Sequence, residues 1–396
     1  MRRILPLLFL LSALWFSGCT LPGGPGTSTA GYGSPGGSGR SGGAPRETMR
    51  LFTPMAESGT RKLSDADARE TARAWSLKMQ RLGNASELDH ALSQSLATAQ
   101  SKPAGSVAVE RPGLRVTWGQ MTASLEEMRR ILPKFASRPE ALAESFHFYR
   151  IGPDFGITGY YEPTLEASRT KSSKYNYPLY RLPGNVRKGV AYHTRNAIDR
   201  QGALAGKGLE IAWVTSETDA FFLHVQGSGR LRFADGSVTH VLYAGKNNRK
   251  YVSLGRVMKE QGLLAEGDVS MTSIRRVLDE NPGRKAELFD TNPSYVFFRE
   301  AADGPLGAMG RPLTPWASVA VDRGTLPLGS LLFLSVPLPD DSGSFTVPFH
   351  GVVTAQDTGG AIKGNRIDLF CGAGEFAAHT AGYLDTAGAV YLLVKK

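Results

Sequence analysis

Thr354-Ala-Gln-Asp-Thr-Gly-Gly-Ala-Ile-Lys-Gly-Asn-Arg-Ile-Asp-Leu-Phe370 decides how the rest of the chain is read. Asp357 closes one β-rich run, and Asp368 lies inside the next. Gly359, Gly360 and Gly364 stand between them and let the chain turn tightly. Two strands joined in this way can bring two carboxylates to one place. Ile367, Leu369 and Phe370 flank Asp368, and a charged acid among apolar neighbours is costly. Burial and a second carboxylate both raise a carboxyl pKa above its usual ~3.9. That is what a general acid needs near neutral pH. The plainer alternative stays open: Asp357 caps a turn, and Asp368 pairs with Arg366 or Arg323. A third acid, Asp322, follows the hydrophobic run Ser318–Val321 and precedes a turn-rich stretch, where alone it would be a turn aspartate.

Working outward, Gly351–Ala355 and Arg366–Phe370 are expected as strands, together with Ser318–Val321, Leu331–Val336 and Ala389–Val394. A short helix is expected at Glu375–Ala381. Upstream, Glu210–Val214, Ala220–Val225, Leu231–Phe233 and Val238–Tyr243 read as short strands, with Asp235-Gly236 as a hairpin turn. Helices are expected at Leu254–Gln261 and Thr272–Glu280. The first part of the folded chain reads as helical. One helix is capped at Ser64 and runs to Gly83, and a second covers Leu88–Gln100. A third starts at Ser124 with Glu127 and stops at Pro133. A fourth starts at Pro139 and continues to about Tyr149. Helices followed by short strands, without strand–helix alternation, argue for β-barrels with added helices, not a doubly wound sheet. About 350 ordered residues exceed one comfortable core, so two domains are expected.

The N-terminus carries Arg2 and Arg3, then an apolar run from Ile4 to Phe16, then Ser17, Gly18 and Cys19. The run is short for a membrane span and fits the core of an export signal. Small residues before cysteine resemble a lipoprotein cleavage site, with Cys19 as the lipid-bearing residue. Thr20 is compatible with outer-membrane sorting. The other cysteine, Cys371, then has no disulfide partner and is expected to be a buried packing residue. Residues 22–45 are Gly, Pro and Ser with little that could be buried, so they read as a flexible tether with a mean reach of ~25–30 Å. The formal net charge of +10 favours an anionic partner. Export turns that expectation from nucleic acid toward the cell wall, and the scattered Lys and Arg do not form the aromatic-interleaved patch of a nucleic-acid binder.

Three further segments carry candidate binding residues: Ile157-Thr-Gly-Tyr-Tyr-Glu-Pro163, His224-Val-Gln-Gly-Ser-Gly-Arg230 and Asn292-Pro-Ser-Tyr-Val-Phe-Phe298. The first places adjacent tyrosines where aromatic faces could wall a sugar site, or could be one core and one outward strand residue. The second reads as a strand running into a glycine-rich loop that offers an amide, a hydroxyl and open backbone groups. It lacks the length and lysine of a phosphate loop. The third reads as a turn leading to an aromatic strand. His193, His224, His240, His350 and His379 show no metal-ligand spacing, so no metal or other cofactor is expected.

In combination, ITGYYEP, HVQGSGR, NPSYVFF, AVDRGTLPLGS and QDTGGAIKGNRIDLF resemble the membrane-bound lytic murein transglycosylase A family, across roughly residues 105–396. The resemblance implies a mainly β fold with added helices: a double-psi β-barrel with an inserted second β-barrel domain. The implied layout is a signal peptide at 1–18, lipidated Cys19 with its tether to 46, a catalytic barrel from 47–162 plus 290–396, and an insert at 163–289. It implies a lytic exotransglycosylase that cuts peptidoglycan glycan strands, with Asp368 as the single catalytic acid and Asp357 and Asp322 in support. Thr158, Gly159, Tyr160, Tyr161, Gln226, Gly227 and Ser228 would line the glycan groove, with Asn292 and Lys363 as further contacts. A monomer is expected, anchored to the outer membrane through Cys19 and facing the periplasm. Two other readings remain at this point: a hydrolytic muramidase using the Asp357–Asp368 pair, and a wall-binding lipoprotein that does not cut.

Overall fold

Residues 59–265 and 269–396 are described by the structure, a computed structural model. The expected signal peptide, Cys19 and the tether lie outside them. The chain starts with an edge strand, β1 (Thr60–Lys62), and two helices, α1 (Asp65–Arg73) and α2 (Ala85–Gln100). A hairpin, β2 (Val107–Arg111) and β3 (Leu114–Thr117), leads into α3 (Trp118–Phe135) and the single-turn α4 (Ala141–Ser145). The long strand β4 (Phe146–Glu162) then leads into β5 (Thr164–Ser168) and β6 (Tyr177–Tyr180). There follow α5 (Arg195–Asp199), β7 (Glu210–Val214), α6 (Glu217–Gln226), β8 (Ser228–Arg232) and β9 (Val238–Lys246). Helices α7 (Leu254–Glu260), α8 (Met271–Glu280) and α9 (Lys285–Asp290) precede β10 (Val296–Ala301). The C-terminal part is β11 (Ser318–Val321), β12 (Leu331–Pro339), β13 (Phe345–Asp357), β14 (Arg366–Ala373), α10 (Glu375–Tyr383) and β15 (Asp385–Lys395).

Six strands close on themselves in the order β4-β14-β11-β13-β12-β15, and β15 returns to β4. The pairs β4–β14 and β11–β13 are parallel, and the others are antiparallel. This closed mixed sheet is the double-psi β-barrel. Closure leaves few open strand edges. Phe148, Phe155, Phe333, Phe349 and Leu392 fill its core, and α1–α4 pack Ala72, Leu88, Leu125, Phe135 and Leu142 onto it, with Trp75 from the turn after α1. The second sheet runs β10-β9-β8-β5-β7-β6, and one bridge from Arg181 to Phe298 joins its ends. It is the inserted barrel, over a core of Leu165, Ile211, Leu231, Val241 and Phe298. Its last strand ends at Ala301, so by strand pairing the insert extends past the boundary expected at 289.

Several elements differ from expectation for physical reasons. Ala220–Val225 is not a strand but the middle of α6. Ser216 caps that helix by accepting from the Asp219 N–H, and Gly227 ends it at φ 82°. A buried run such as Phe221-Phe222-Leu223 has no period to separate helix from strand. Helix α3 begins at Trp118, not Ser124, because Thr117 and Gln120 form a capping box; Pro133 is tolerated inside its last turn. The helix expected from Pro139 to Tyr149 stops at Ser145, since Phe146 onward pairs with β15. The first helix ends at Arg73, not Gly83.

Candidate active site

Strand register brings the acids together. Asp368 of β14 lies opposite Thr158 of β4 on one side and Ala320 of β11 on the other. Ala320 in turn pairs with Asp357 of β13, and Thr158 with Asp385 of β15. One row across the barrel therefore reads Asp385, Thr158, Asp368, Ala320, Asp357. Side chains in such a row share a face of the sheet. The small Ala320 leaves room between the two central carboxylates.

Thr158 donates to Asp368 Oδ1 at 2.8 Å. The Asp368 carboxyl is set deep among protein groups yet keeps a partly exposed edge, so a ligand can reach it. Burial raises its pKa from 3.8 to about 6; the Thr158 hydrogen bond and Arg366 oppose the rise, and Asp357 and Asp385 add to it. Asp357 Oδ2 accepts from Tyr160 Oη at 3.0 Å, while Oδ1 accepts the Ala308 and Thr358 N–H groups, each at 2.8 Å. Burial raises its pKa as well, against those donors and Arg323. Tyr160 is pushed well above the usual phenol value by burial and by Asp357, so it stays a proton donor in this bond. Its ring lies 5.2 Å from that of Phe370. Asp357 thus ties the residue after β13 and the remote segment at Ala308 to one carboxylate oxygen. No Arg or Lys lies within ion-pair distance of Asp368 or Asp357 among the described residues.

The remaining sequence candidates divide. Asp322 accepts the N–H of Gly364 at 2.7 Å and of Gly324 at 3.0 Å, which holds its pKa down. It braces the loop between Asp357 and Asp368 and is not a proton donor. Lys363 stands exposed on that loop. Gln226, at the end of α6, accepts the Tyr161 N–H at 3.1 Å and so joins the insert to β4 beside the acids. Gly227 and Ser228 follow it as helix cap and first residue of β8, where a strand entering a loop was expected. Gly159 packs inward: a Cβ there would stand 2.9 Å from Ala381 Cα and 3.2 Å from Cys371 Sγ. It lets α10 close on β4. Asn292 is 2% exposed, and its Oδ1 accepts the Val252 and Ser294 N–H groups at 3.1 and 3.2 Å. It is a scaffold residue, not a groove contact. Cys371 is buried and free, with its thiol pKa raised by burial.

Asp385 is a neighbour of Asp368 that the sequence reading did not pick out, and Arg366, considered there only as an ion-pair partner, acts on Asp368 without a close ion pair. Arg366 stands two residues before Asp368 and so shares its face of β14. That period was the available signal. Tyr251 comes from the insert, and its phenol feels the Arg366 charge. No group of three His, Cys, Asp or Glu side chains forms a metal-ligand set among the described residues.

Comparison with known proteins adds to this geometry. A family model described as the MltA specific insert domain matches residues 156–299, and a 3D domain matches 317–394. The membrane-bound lytic murein transglycosylase A of Vibrio cholerae is 40% identical over 241 residues, which are 60% of this chain and 64% of that protein. The chain thus aligns with somewhat less than two thirds of that relative's length. Among solved structures, the membrane-bound lytic murein transglycosylase from Agrobacterium tumefaciens is 30% identical with a TM-score of 0.69, and the match covers 85% of this chain and 98% of that one. Escherichia coli MltA with bound chitohexaose is also 30% identical, with a TM-score of 0.64, over 79% of this chain and 90% of that one.

Proposed function

Because the chain belongs to the membrane-bound lytic murein transglycosylase A family, we propose that it cleaves the β-1,4 bond between N-acetylmuramic acid and N-acetylglucosamine in peptidoglycan and leaves 1,6-anhydromuramoyl ends. The observation that carries this reading is the desolvated, partly reachable Asp368 carboxyl, whose pKa is raised to about 6. It is protonated enough near neutral pH to act as an acid and basic enough afterwards to act as a base.

Neutral Asp368 gives its proton to the bridging oxygen as the glycosidic bond breaks. The anomeric carbon gains oxocarbenium character. The Asp368 carboxylate then takes the proton of the muramic 6-hydroxyl, whose oxygen bonds to the anomeric carbon of the same sugar. Asp368 ends neutral, ready for the next turnover. An ordinary glycosidase needs a second carboxylate to activate water or attack the sugar. Here an internal hydroxyl takes that place, so Asp357 is free to act on Asp368 as a neighbouring charge. Thr158 orients the acid. Tyr160 orients Asp357. Tyr161, Gln226 and Ser228 sit where the insert meets the barrel and would line the glycan path. The bound chitohexaose in the E. coli relative supports a groove for a linear β-1,4 glycan.

Mass spectrometry of muropeptides released from purified peptidoglycan tests the reaction. Anhydromuramoyl ends are expected, without oxygen from solvent. Reducing ends carrying solvent oxygen would replace this reading with the muramidase. No release at all would leave a wall-binding lipoprotein.

We also propose attachment to the outer membrane through lipid on Cys19, with the folded part in the periplasm as a monomer. The motif at Ser17-Gly18-Cys19 and the membrane-bound relatives support it. Among the described residues no helix is long and apolar enough to cross a membrane. Cys19→Ser is expected to abolish incorporation of radiolabelled fatty acid into the protein, and labelling that survives the substitution would contradict the lipid anchor.

A further inference from the structure

Arg366 stands beside the acidic row and makes no ion pair within 4 Å among the described residues. It opens β14 opposite Gly156, and Asp368 lies on the same face two residues on. Its closest polar contact is Thr158 Oγ1, which Nε and an Nη reach only at 3.4 Å. No carboxylate oxygen lies within 4 Å of the guanidinium among the described residues, although most of the other arginines near the barrel and insert are paired. The group is half-buried and faces the partly exposed Asp368 and, from the insert, Tyr251. When Asp368 is protonated, as the proposed acid step requires, Arg366 loses even the nearest negative charge on its own strand. A guanidinium has five donors in a fixed fork, and this one makes only long contacts to Thr158, which leaves its fork open to a ligand. The matching group is a carboxylate, held by two parallel hydrogen bonds.

Resting on the proposed activity, we infer that Arg366 receives the carboxylate of the 3-O-lactyl group that distinguishes N-acetylmuramic acid from N-acetylglucosamine. The acid-bearing sugar would thereby be placed over Asp368, and the two sugars of the strand could not exchange places. The group is free only where the stem peptide has been removed, so peptide-stripped strands are the substrate class this contact favours. Arg366 is then a specificity residue that also acts on the catalytic acid. The charged and titratable groups facing Asp368 are Asp357 on β13, Asp385 on β15, Tyr160 on β4, and Cys371 and Arg366 on β14, while Tyr251 from the insert interacts with Arg366. Among them Arg366 is the cation that holds the Asp368 pKa down.

The test uses the folded chain and two preparations of peptide-free glycan strands. One keeps its lactyl carboxylates, and the other has them converted to methylamides. The native protein is expected to prefer the carboxylate strands by about tenfold or more in kcat/KM, chiefly through KM. Arg366→Gln is expected to lose that preference and to move the alkaline fall of the pH profile upward, because Asp368 then holds its proton more tightly. Arg366→Lys keeps the charge without the fork, so its pH profile should stay close to native while part of the preference is lost. Calorimetric binding of chitohexaose, which has no lactyl group, should be nearly the same in all three proteins and reports that the groove is intact. Equal use of both strands by the native protein, or an undiminished preference in Arg366→Gln, overturns the inference while leaving anhydromuramoyl formation standing. Absence of anhydromuramoyl products from the native protein would instead overturn the activity on which it rests.

Discussion

Asp368→Asn is expected to lower kcat/KM for anhydromuramoyl formation by at least ~10³-fold and, in the same preparation, to raise the thermal midpoint by a few degrees. A general acid or base contributes about 10²–10⁴-fold for each proton it moves, and Asp368 is proposed to move two. The amide cannot give a proton to the bridging oxygen or take one from the 6-hydroxyl. Its Oδ1 can still accept from Thr158, so the local hydrogen bond survives. Gain of stability with loss of turnover separates a chemical role from a folding defect. A variant with more than about a tenth of native activity would remove Asp368 from the mechanism.

The stability half of that result follows from linkage. The folded-state pKa of Asp368 is about 6, and its reference value is 3.8. Between those values the native chain holds a proton that the unfolded chain has released. Stability therefore falls as pH rises through this window. Above about pH 6 the ionised carboxylate costs on the order of 2–3 kcal/mol. Asn does not ionise, so the variant should lack this decline, and the difference between the two proteins should vanish below about pH 4. The same ionisation shapes turnover. Native kcat/KM should fall about tenfold per pH unit once the pH is well above 6, as the reactive acid becomes the minor form. A catalytic site that lowers the stability of its own fold is a familiar trade-off.

Much of this site could be read from the sequence because the chemistry lies in one hairpin-like stretch. The alternation around Ile367-Asp368-Leu369 marks a strand, and Gly359, Gly360 and Gly364 mark the turn that folds it back. The acids appear there as polar residues in an apolar pattern. Other parts were hidden for separate reasons. Phe221-Phe222-Leu223 has no usable period, so the helix that presents Gln226 looked like a strand. Asn292 and Gly159 stood in motifs that pointed to the groove, yet one spends its amide oxygen on backbone N–H groups and the other admits Ala381. Motif membership records that a residue type matters, not which way the residue faces. Arg366 was visible only as a possible partner for Asp368, because the absence of a close ion pair is a property of the packed structure. The helical segment before residue 105 carried no family motif, and its role appears only through side-chain amides such as Gln356 Nε2, which donates to Ala91 O at 2.7 Å and anchors α2 next to Asp357.

Gln80→Leu is expected to cost about 4–6 kcal/mol, seen as a fall in thermal midpoint of roughly 5–10 °C. Gln80 is fully buried between α1 and α2. Its Oε1 accepts from Trp75 Nε1 at 2.5 Å and from the Val352 N–H at 3.0 Å. Its Nε2 donates to Val352 O at 2.6 Å and Trp316 O at 3.2 Å. The β11–β13 ladder begins only at Ser318 and Thr354. Two residues earlier on each strand, the Gln80 amide lies between Trp316 and Val352 and serves both as a peptide group of a missing strand would. Leucine fills a similar volume but leaves four buried polar groups without a partner, each costing about 1–3 kcal/mol if nothing relaxes. Trp75, stacked on Phe135 at 3.8 Å, cannot turn its indole N–H to solvent without giving up that contact. Gln100→Leu, on the exposed end of α2, is the control and should shift the midpoint by less than a degree or two. Urea unfolding at 25 °C would measure the difference directly, and a loss under about 1 kcal/mol would mean that water or a shifted strand replaces the amide. Because Gln80 holds β13 at Val352, while Asp357 ends that strand and Asp368 lies on β14, molecules of the variant that remain folded should keep turnover within a few-fold of native.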